Sequence, residues 1–429
     1  MQAKQVAALG DNLRRFLGRF SACFRTRNAR AHLVTYVEGQ LGPLERKSVE
    51  PIAYAAGVEP RNLLQFLSVL HWDEDEVRDQ VQRIVAEDHR GEECLAIIDE
   101  TSFAKKGTET ACVQRQYCGA TGKVDNCVVS VHLAFAAGDF HTLIDSTLYL
   151  PKETWDDKPG RRRKVGVPDD VVYQPLHEIA LDQLEHAVEN GVPIDYVLAD
   201  ERYGGVPEFL ETLEGWDLRY VLEVPKTLSG WTRRPAVEEI RVEGPGPKSA
   251  VRPILRLLPD ADLPRGAAHW AEYGRIFRKT PWVAYRIKDT FKGPEVWEAK
   301  ECPFFQHRKG RVSPSLRLIL ARNVLDGTVK YFVSNAPDSV PLTTLLRIAF
   351  GRWHVERCFE DSKGEVGMDH FEVRRYGSIK RHLMLTMVSH LFLAEQTVRL
   401  RGEKDGRDRL SGEAGGRHPV GHARSHARK

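Results

Sequence analysis

Apolar positions in the first 90 residues recur at helical spacing, and strand-like alternation is absent there. The pattern predicts an all-helical segment over residues 1–90. Within it, a helical pattern over 44–53 is followed by Gly57 and then by a second helical pattern over 60–70. A helix, a glycine-containing turn and a helix are compatible with a helix-turn-helix. Because most helical hairpins are only packing units, DNA contact and plain packing both stay open for this segment.

The pattern changes at residue 94, where short apolar runs bounded by turn residues replace the helical periodicity. Short links between the first three runs favour an antiparallel meander. An amphipathic helix follows, with Pro175 before it and Gly191 after it. The predicted strands are 94–99, 126–136, 140–150, 196–200 and 220–224, and the predicted helices between them are 176–188 and 206–214. This order predicts an α/β class with a mixed sheet.

The remaining third of the chain divides by composition. Residues 225–335 are rich in Pro and Trp and contain strand-like pieces, which predicts a β-rich insertion. A helical pattern then resumes at Leu342 and runs, with breaks, to about Leu400. The tail, 401–429, is rich in Gly, Arg and His and has almost no large apolar residues after Leu410, so it is predicted to be disordered.

The distribution of charge indicates a class of partner, and the cysteines exclude two kinds of stabilising site. The 429 residues include 63 Lys and Arg against 60 Asp and Glu, a net charge of +3. Residues 1–32 nevertheless hold seven cations against one acid, and residues 401–429 hold eight against four. Basic ends on an acidic body favour a polyanion partner. Seven cysteines without CxxC spacing argue against a disulfide framework or a zinc ribbon.

No apolar stretch is long enough to span a bilayer, and the N-terminus lacks the apolar region of a secretory signal. We therefore expect a cytoplasmic protein with no membrane partner.

Two of the predicted strands end in an acid, Asp99 and Asp200. Ligand sites in open α/β sheets form at the carboxyl ends of strands, although a lone Asp there is usually a turn or cap residue. Two such acids on neighbouring strands favour a shared site for a divalent metal ion. Carboxylate oxygens suit Mg²⁺ or Mn²⁺.

A charged helix in the last third supplies the third candidate group. Arg352, Glu356, Glu360 and Lys363 follow helical spacing and share one face. Taken alone, this face is typical of a solvated stripe of ion pairs. Glu360 lies one turn from Glu356 and is its rival as a functional acid.

In this order, the motifs resemble the DDE transposases of bacterial insertion sequences, in the branch with a Tyr-(2)-Arg-(3)-Glu-(6)-Lys signature. The chain has Arg352, Glu356 and Lys363 at that spacing, and Ala349 at the position of the signature Tyr. The other matching segments are Ile98-Asp99-Glu100-Thr101, Arg115-Gln116-Tyr117-Cys118-Gly119, Leu198-Ala199-Asp200 with Tyr203-Gly204, and Gly367 to Arg374. The resemblance covers roughly residues 20–395.

The resemblance implies an RNase H-like mixed-sheet catalytic core, interrupted by the β-rich insertion and preceded by an all-helical DNA-binding domain. The implied domains are 1–90 for DNA binding, 91–224 and 336–400 for the core, 225–335 for the insertion, and 401–429 for a disordered basic tail. Asp99, Asp200 and Glu356 would be the catalytic acids. They would hold two Mg²⁺ ions, with Mn²⁺ as a possible substitute.

Basic residues near these acids are the implied DNA contacts. Arg352 and Lys363 would bind phosphates near the cut. Arg161, Arg162, Arg163 and Lys164 lie in a segment bounded by Pro and Gly, predicted as a loop, and are expected to contact DNA. Trp270, Trp282 and Trp297 of the insertion are expected to pack in the core, although an aromatic residue there can stack on a flipped base in related transposases.

The implied function is cut-and-paste transposition. The protein would bind the terminal repeats of its element on double-stranded DNA, cut there, and join the ends to target DNA as a homodimer. Two alternatives remain: an RNase H-like nuclease without strand transfer, and a catalytically inactive DNA-binding derivative that acts as a regulator.

Overall fold

A computed structural model describes residues 3–243, 251–290 and 293–414 of the chain. The helices are α1 (Ala3–Gly18), α2 (Arg27–Leu41), α3 (Val49–Ala55), α4 (Pro60–Ser68), α5 (Glu74–Asp88), α6 (Pro159–Val165), α7 (Leu176–Glu189), α8 (Glu201–Gly204), α9 (Pro207–Gly215), α10 (Ala267–Tyr273), α11 (Arg275–Lys279), α12 (Leu342–Phe350), α13 (Trp353–Gly364) and α14 (Tyr376–Ala414). A 3₁₀ turn covers Ser21–Cys23, and a π-helical turn covers Lys152–Asp156.

The strands form one mixed sheet with short side branches. They are β1 (Cys94–Ala104), β2 (Gln114–Cys118), β3 (Lys123–Ala137), β4 (Phe140–Leu148), β5 (Tyr196–Ala199), β6 (Tyr220–Glu223), β7 (Ser229–Trp231), β8 (Val237–Glu243), β9 (Val251–Leu257), β10 (Arg265–Gly266), β11 (Val283–Thr290), β12 (Gly293–Arg308), β13 (Arg311–Val312), β14 (Leu316–Asn323) and β15 (Val329–Ser334). The α/β class with a mixed sheet is confirmed.

Strand pairing places the two predicted acids side by side on neighbouring strands. β3 runs antiparallel to β1 and to β4, which is the predicted meander. β5 runs parallel to β1, with Ile97 opposite Leu198, so the same register places Asp99 level with Asp200. β6 then runs parallel to β5. Asp200 therefore follows the carboxyl end of β5, and Asp99 lies level with it on β1, which itself continues to Ala104.

The sheet continues beyond β6 into strands of the 225–335 segment. β15 pairs antiparallel with β6, β14 pairs with β15, and β12 pairs with β14. The ring of Trp297 on β12 lies 4.6 Å from that of Phe350 at the end of α12. The segment is thus hydrogen-bonded to β6, the neighbour of β5, and packs against the helix that precedes α13.

The N-terminal helices pack on α14 through a buried polar seam. The Tyr36 hydroxyl lies 2.9 Å from Nδ1 of His382. Gln40 donates to Thr386 at 3.0 Å and accepts from Ser389 at 2.7 Å. The predicted hairpin is present as α3 and α4, with Gly57 at φ +65° between them. Within the described ranges, no helix is long and apolar enough to cross a membrane.

Three expectations about secondary structure were wrong. The first strand does not end at Asp99, because its ladder with β3 continues to Ala104. Residues 161–164 form helix α6 rather than a loop, because Pro159 presets the first helical position and Gly166 caps the end at φ +69°. Helix α14 continues to Ala414, through the first part of the tail predicted to be disordered, because each added residue of a formed helix gains one hydrogen bond. Residues 415–429 lie outside the described residues.

Candidate active site

Asp99 lies near the middle of β1 and is half-buried. Its Oδ2 accepts a hydrogen bond from Nη1 of Arg352 at 2.7 Å, and its Oδ1 accepts from the backbone N–H of Glu100 at 2.9 Å. Burial raises the pKa of the Asp99 carboxyl to about 7; Arg352 opposes this shift, while the negative charges of Glu100 and Asp200 add to it. The site therefore favours either a proton or a positive charge beside Asp99.

The guanidinium of Arg352 bridges Asp99 to the helix α13. Its Nη2 donates to Oε1 of Glu356 at 2.6 Å, while its Nη1 bonds Asp99. Arg352 immediately precedes α13, so Glu356 lies one turn into that helix and on the same face. The fork geometry of a guanidinium holds two carboxylates at once, which brings the first and third predicted acids to one place.

Asp200 completes the group from the end of β5. It caps the short helix α8, where its Oδ1 accepts from the backbone N–H of Arg202 at 3.0 Å. Its side chain lines the same cleft as Glu356. Its charge raises the pKa of both Asp99 and Glu100, although burial is the larger cause for each. The three predicted acids thus share one electrostatic environment.

A fourth acid, Glu100, connects β1 to α8. Its carboxylate accepts from the hydroxyl of Tyr203 at 3.0 Å and pairs with Nη1 of Arg202 at 2.9 Å. Arg202 and Tyr203 are the second and third residues after Asp200, and Tyr203 is fully buried. Glu100 therefore fixes α8, and with it Asp200, against the strand that carries Asp99.

Tyr203→Phe should test this connection. Removing the hydroxyl leaves a buried carboxylate with one partner fewer, so we expect the free energy of unfolding to fall by about 2 kcal/mol. Because Asp200 is then less firmly positioned, the DNA cleavage that the sequence resemblance implies should fall about tenfold. Urea unfolding and single-turnover cleavage measure the two effects.

Tyr220→Phe is the matched control. Tyr220 is equally buried, and its hydroxyl donates to Glu214 at 2.8 Å on a helix that carries none of the predicted acids. It should lose similar stability and keep its cleavage rate. Equal loss of cleavage in the two variants would mean that Tyr203 acts through stability alone.

The other residues considered on or near α13 have different environments. Nζ of Lys363 donates to Oγ1 of Thr101 at 2.7 Å, so the lysine lies over β1 two residues after Asp99. Glu360 pairs with Arg357 at 3.3 Å and is 71 % exposed. Ala349, at the signature Tyr position, is buried in the core. The geometry therefore favours Glu356 over Glu360 as the third acid.

The four basic residues of 161–164, on α6, have two kinds of environment. Arg161 stacks at 3.8 Å on the ring of Trp155 and donates to the carbonyls of Thr154 and Thr108. Arg162 pairs with Asp156 at 2.8 Å and donates to three loop carbonyls. These two residues hold the fold together. Arg163 and Lys164 are exposed, although Lys164 also pairs with Glu109.

The tryptophans of the 225–335 segment pack into the sheet. Trp297 is buried, and Nε1 of Trp270 donates to the carbonyl of Gly230 at 2.9 Å. The ring of Trp282 lies between the cationic groups of Lys300 and Arg322, each 4.4 Å from its centroid. These contacts agree with the expected packing role.

The donor chemistry of the site suits a hard divalent cation. Three carboxylates and the neighbouring Glu100 offer oxygen ligands, and the cationic guanidinium of Arg352 shows that a positive charge is stable between two of them. Among the residues that the structure describes, no group of three or more His, Cys, Asp or Glu side chains is close enough to hold a metal ion. The acids fit Mg²⁺ or Mn²⁺ in chemistry, with Arg352 between them.

The role of Glu100 and Tyr203 was missed at the sequence level. Both residues stand beside a predicted acid within matching motifs, Asp99-Glu100 and Asp200-Glu201-Arg202-Tyr203. Their position next to the acids was the available signal. The pairing itself depends on the register of β1 against β5, which local sequence does not encode.

Comparisons with known proteins show what the chain is similar to. A family model described as DDE superfamily endonuclease matches residues 19–294. The chain is also 25% identical over 350 residues to a protein of Microchaete diplosiphon named "Probable transposase for insertion sequence element IS701". That alignment covers 80% of this chain and 76% of the relative.

Proposed function

Because the chain belongs to the DDE superfamily of endonucleases, enzymes that act on the phosphodiester bonds of DNA, we propose that it is a cut-and-paste transposase of an insertion sequence. It binds the terminal repeats of its element, cuts the DNA there, and joins the freed ends to a target. The observation that carries the proposal is the guanidinium of Arg352 held between Asp99 and Glu356, with Asp200 beside them.

Asp99, Asp200 and Glu356 are the proposed catalytic acids and the ligands of two Mg²⁺ ions, for which Mn²⁺ is a possible substitute. When bound, such ions supply Lewis acidity for the attacking and leaving oxygens of an in-line displacement at phosphorus. The acids supply anionic oxygens on rigid elements: one on β1, one at the start of α8 and one on α13. Glu100 keeps the second of these elements in place.

Arg352 and Lys363 bind the DNA backbone beside the cut in this proposal. In the absence of DNA, Arg352 neutralises two carboxylates, and it is only 22 % exposed. A phosphate oxygen is an equally good partner for its fork of donors. Lys363 presents a single charge next to Thr101, two residues from Asp99, and lines the same cleft.

The parts of the chain then have separate tasks. Residues 1–90 bind the terminal repeats, with α3 and α4 as a helix-turn-helix. Arg163 and Lys164, on α6, are further phosphate contacts. Residues 91–224 and 336–400 form the RNase H-like core, with 225–335 inserted in it. Two chains act together on the two ends of the element, in the bacterial cytoplasm, on chromosomal or plasmid DNA.

The test uses the full chain, Mg²⁺ and a supercoiled plasmid that carries both ends of the element. We expect nicks at the element ends and, later, products in which those ends are joined to new DNA; EDTA should prevent both. Nicks without joined products would favour the alternative of a nuclease without strand transfer. Specific binding without nicks would favour the inactive regulator. The absence of both binding and cutting would refute the proposal.

A further inference from the structure

One lysine of the N-terminal helices has its charged end buried. Lys47 lies in the loop between α2 and α3, directly before Ser48, which caps α3. Only 7% of Lys47 is exposed. A buried ammonium is stable only where fixed dipoles or charges surround it. The same burial keeps it away from a DNA phosphate at the surface, so its role lies inside the protein.

The partners of Lys47 are the carboxyl ends of two helices. Its Nζ donates to the carbonyl of Gln40, in the last turn of α2, at 2.7 Å. It also donates to the carbonyl of Glu365, the residue that caps the end of α13. The last carbonyls of a helix lack partners within the helix and carry the negative end of its dipole, and a cation satisfies both needs. One ammonium thus joins α2 to the helix that carries Glu356.

Two neighbouring contacts fix the same junction. The backbone N–H of Lys47 donates to Nδ1 of His370 at 3.0 Å. Arg46 pairs with Glu372 at 2.9 Å. The two residues that lie just before the cap of α3 therefore hold the segment that follows α13 at three points.

Helix α13 extends from this junction to the acids. It is 12 residues long, and its last turn contains Lys363, whose Nζ donates to Thr101 on β1 at 2.7 Å. Glu356 lies about 14 Å from Glu365 along the helix axis, at 1.5 Å per residue. A displacement at the carboxyl end of this helix therefore moves Glu356 and Lys363 relative to Asp99.

We propose that Lys47 is a positioning residue for Glu356 and Lys363, and that it couples binding of the terminal repeat by α3 and α4 to cleavage in the cleft. DNA bound to α3 acts on the chain directly beside Lys47, and the ammonium transmits that force to α13. Cleavage then reaches its full rate only when the repeat is bound. The inference rests on the proposed function, since it describes the control of the same site.

The first experiment compares Lys47→Met with wild type, as full chains in Mg²⁺. Methionine fills a similar volume without a charge or donors. Single-turnover nicking of the plasmid with both element ends is measured at saturating protein, and gel shifts give the Kd for a terminal-repeat duplex. We expect the nicking rate to fall about tenfold in Lys47→Met. The Kd should not change, because the helices that bind the repeat keep their own side chains.

Lys300→Met is the matched control. Lys300 is also 7% exposed, and its Nζ donates to the carbonyl of Phe277 at 2.8 Å, on a helix that carries none of the predicted acids. It should keep both the nicking rate and the Kd. Thermal melting checks that each variant is folded. An equal loss of rate in the two variants would overturn the inference, because lost stability alone would then explain both.

Hydrogen exchange tests the coupling without cleavage. The probe is a terminal-repeat duplex that stops short of the cut site, added to the full chain without metal. In wild type it should slow amide exchange in α13 about tenfold, and in Lys47→Met it should leave that exchange unchanged. Unchanged exchange in wild type that binds the duplex would overturn the inference, whether or not Lys47→Met folds.

Outcomes for the two proposals are separable. If wild type binds and nicks the ends and Lys47→Met nicks them equally fast, the inference fails and the proposed function stands. A large rise in Kd for Lys47→Met also overturns the inference, because Lys47 would then act on DNA binding rather than on the cleft. If wild type neither binds nor nicks the ends, the proposed function fails and the inference fails with it.

Discussion

Glu356→Gln is expected to lose Mg²⁺-dependent DNA cleavage by about 1000-fold, whereas Glu360→Gln should cut nearly as well as wild type. The two residues lie one turn apart on α13, and both line the cleft. Glu356, however, shares the Arg352 guanidinium with Asp99, while Glu360 is exposed and pairs with Arg357. Loss of a metal ligand costs several kcal/mol of transition-state stabilisation, and each 1.4 kcal/mol is tenfold in rate.

Single-turnover cleavage of the plasmid ends measures this difference, and gel-shift assays on the same DNA show whether binding survives. Both variants should bind DNA, because neither removes a cation. Asp200→Asn should behave like Glu356→Gln. A loss confined to Glu360→Gln would reassign the third acid, and normal cleavage by Asp200→Asn and Glu356→Gln would refute the acidic triad.

His390→Asn should make the stability of the protein less sensitive to acid. Burial lowers the pKa of His390 to about 3, far below the usual 6.5, and the charge of His141 adds to the effect. Its Nδ1 lies 3.0 Å from the hydroxyl of Thr142, a contact that the Asn oxygen can replace. In the folded chain the imidazole stays neutral, whereas in the unfolded chain it takes up a proton below pH 6.5.

The sign follows from this difference in proton binding. The stability that the neutral imidazole supports is fully present above pH 6.5 and is lost as the pH falls from 6.5 toward 3, by about 1.4 kcal/mol per pH unit. Wild type should therefore be more stable than His390→Asn at pH 7.5, and the gap should narrow by that amount per unit below 6.5.

Urea unfolding at several pH values between 5 and 7.5 measures the gap. The measured quantity is the difference in the free energy of unfolding between wild type and His390→Asn. In both proteins the pKa values of Asp99 and Glu395 are raised to about 7, so these carboxyls make stability fall as the pH rises, and their effect cancels in the difference. The buried His132 and His382, with pKa values lowered to about 3 and 4, likewise contribute equally to both. A gap that does not change with pH would show that His390 is accessible to protons in the folded state.

The candidate acids were the part of the site that the sequence predicted most directly. Asp99 and Asp200 follow short apolar runs on neighbouring parallel strands, although β1 continues past Asp99 to Ala104. The face shared by Arg352, Glu356 and Lys363 follows from helical spacing alone. What the spacing could not decide was Glu356 against Glu360, since both lie on that face; the contact between Arg352 and Asp99 from β1 favours Glu356.

Other features depend on contacts between distant parts of the chain. Strand β2 is five residues long with an alternating exposed face, too short for its period to stand out. From the sequence Arg161 is an exposed cation, whereas in the structure it stacks on Trp155 and donates to two backbone carbonyls. Phe350, beside the signature position, packs on Trp297, which lies on β12 some fifty residues earlier in the chain. No local sequence pattern predicts that contact.

The continuous pairing of β6 with β15 has a consequence for aggregation. Without the 225–335 segment, one side of β6 would carry unpaired backbone N–H and C=O groups along an apolar strand. Open edges of that kind pair with strands of other molecules. The segment therefore keeps the strands beside the acids from associating with those of a second copy, whatever else it contributes.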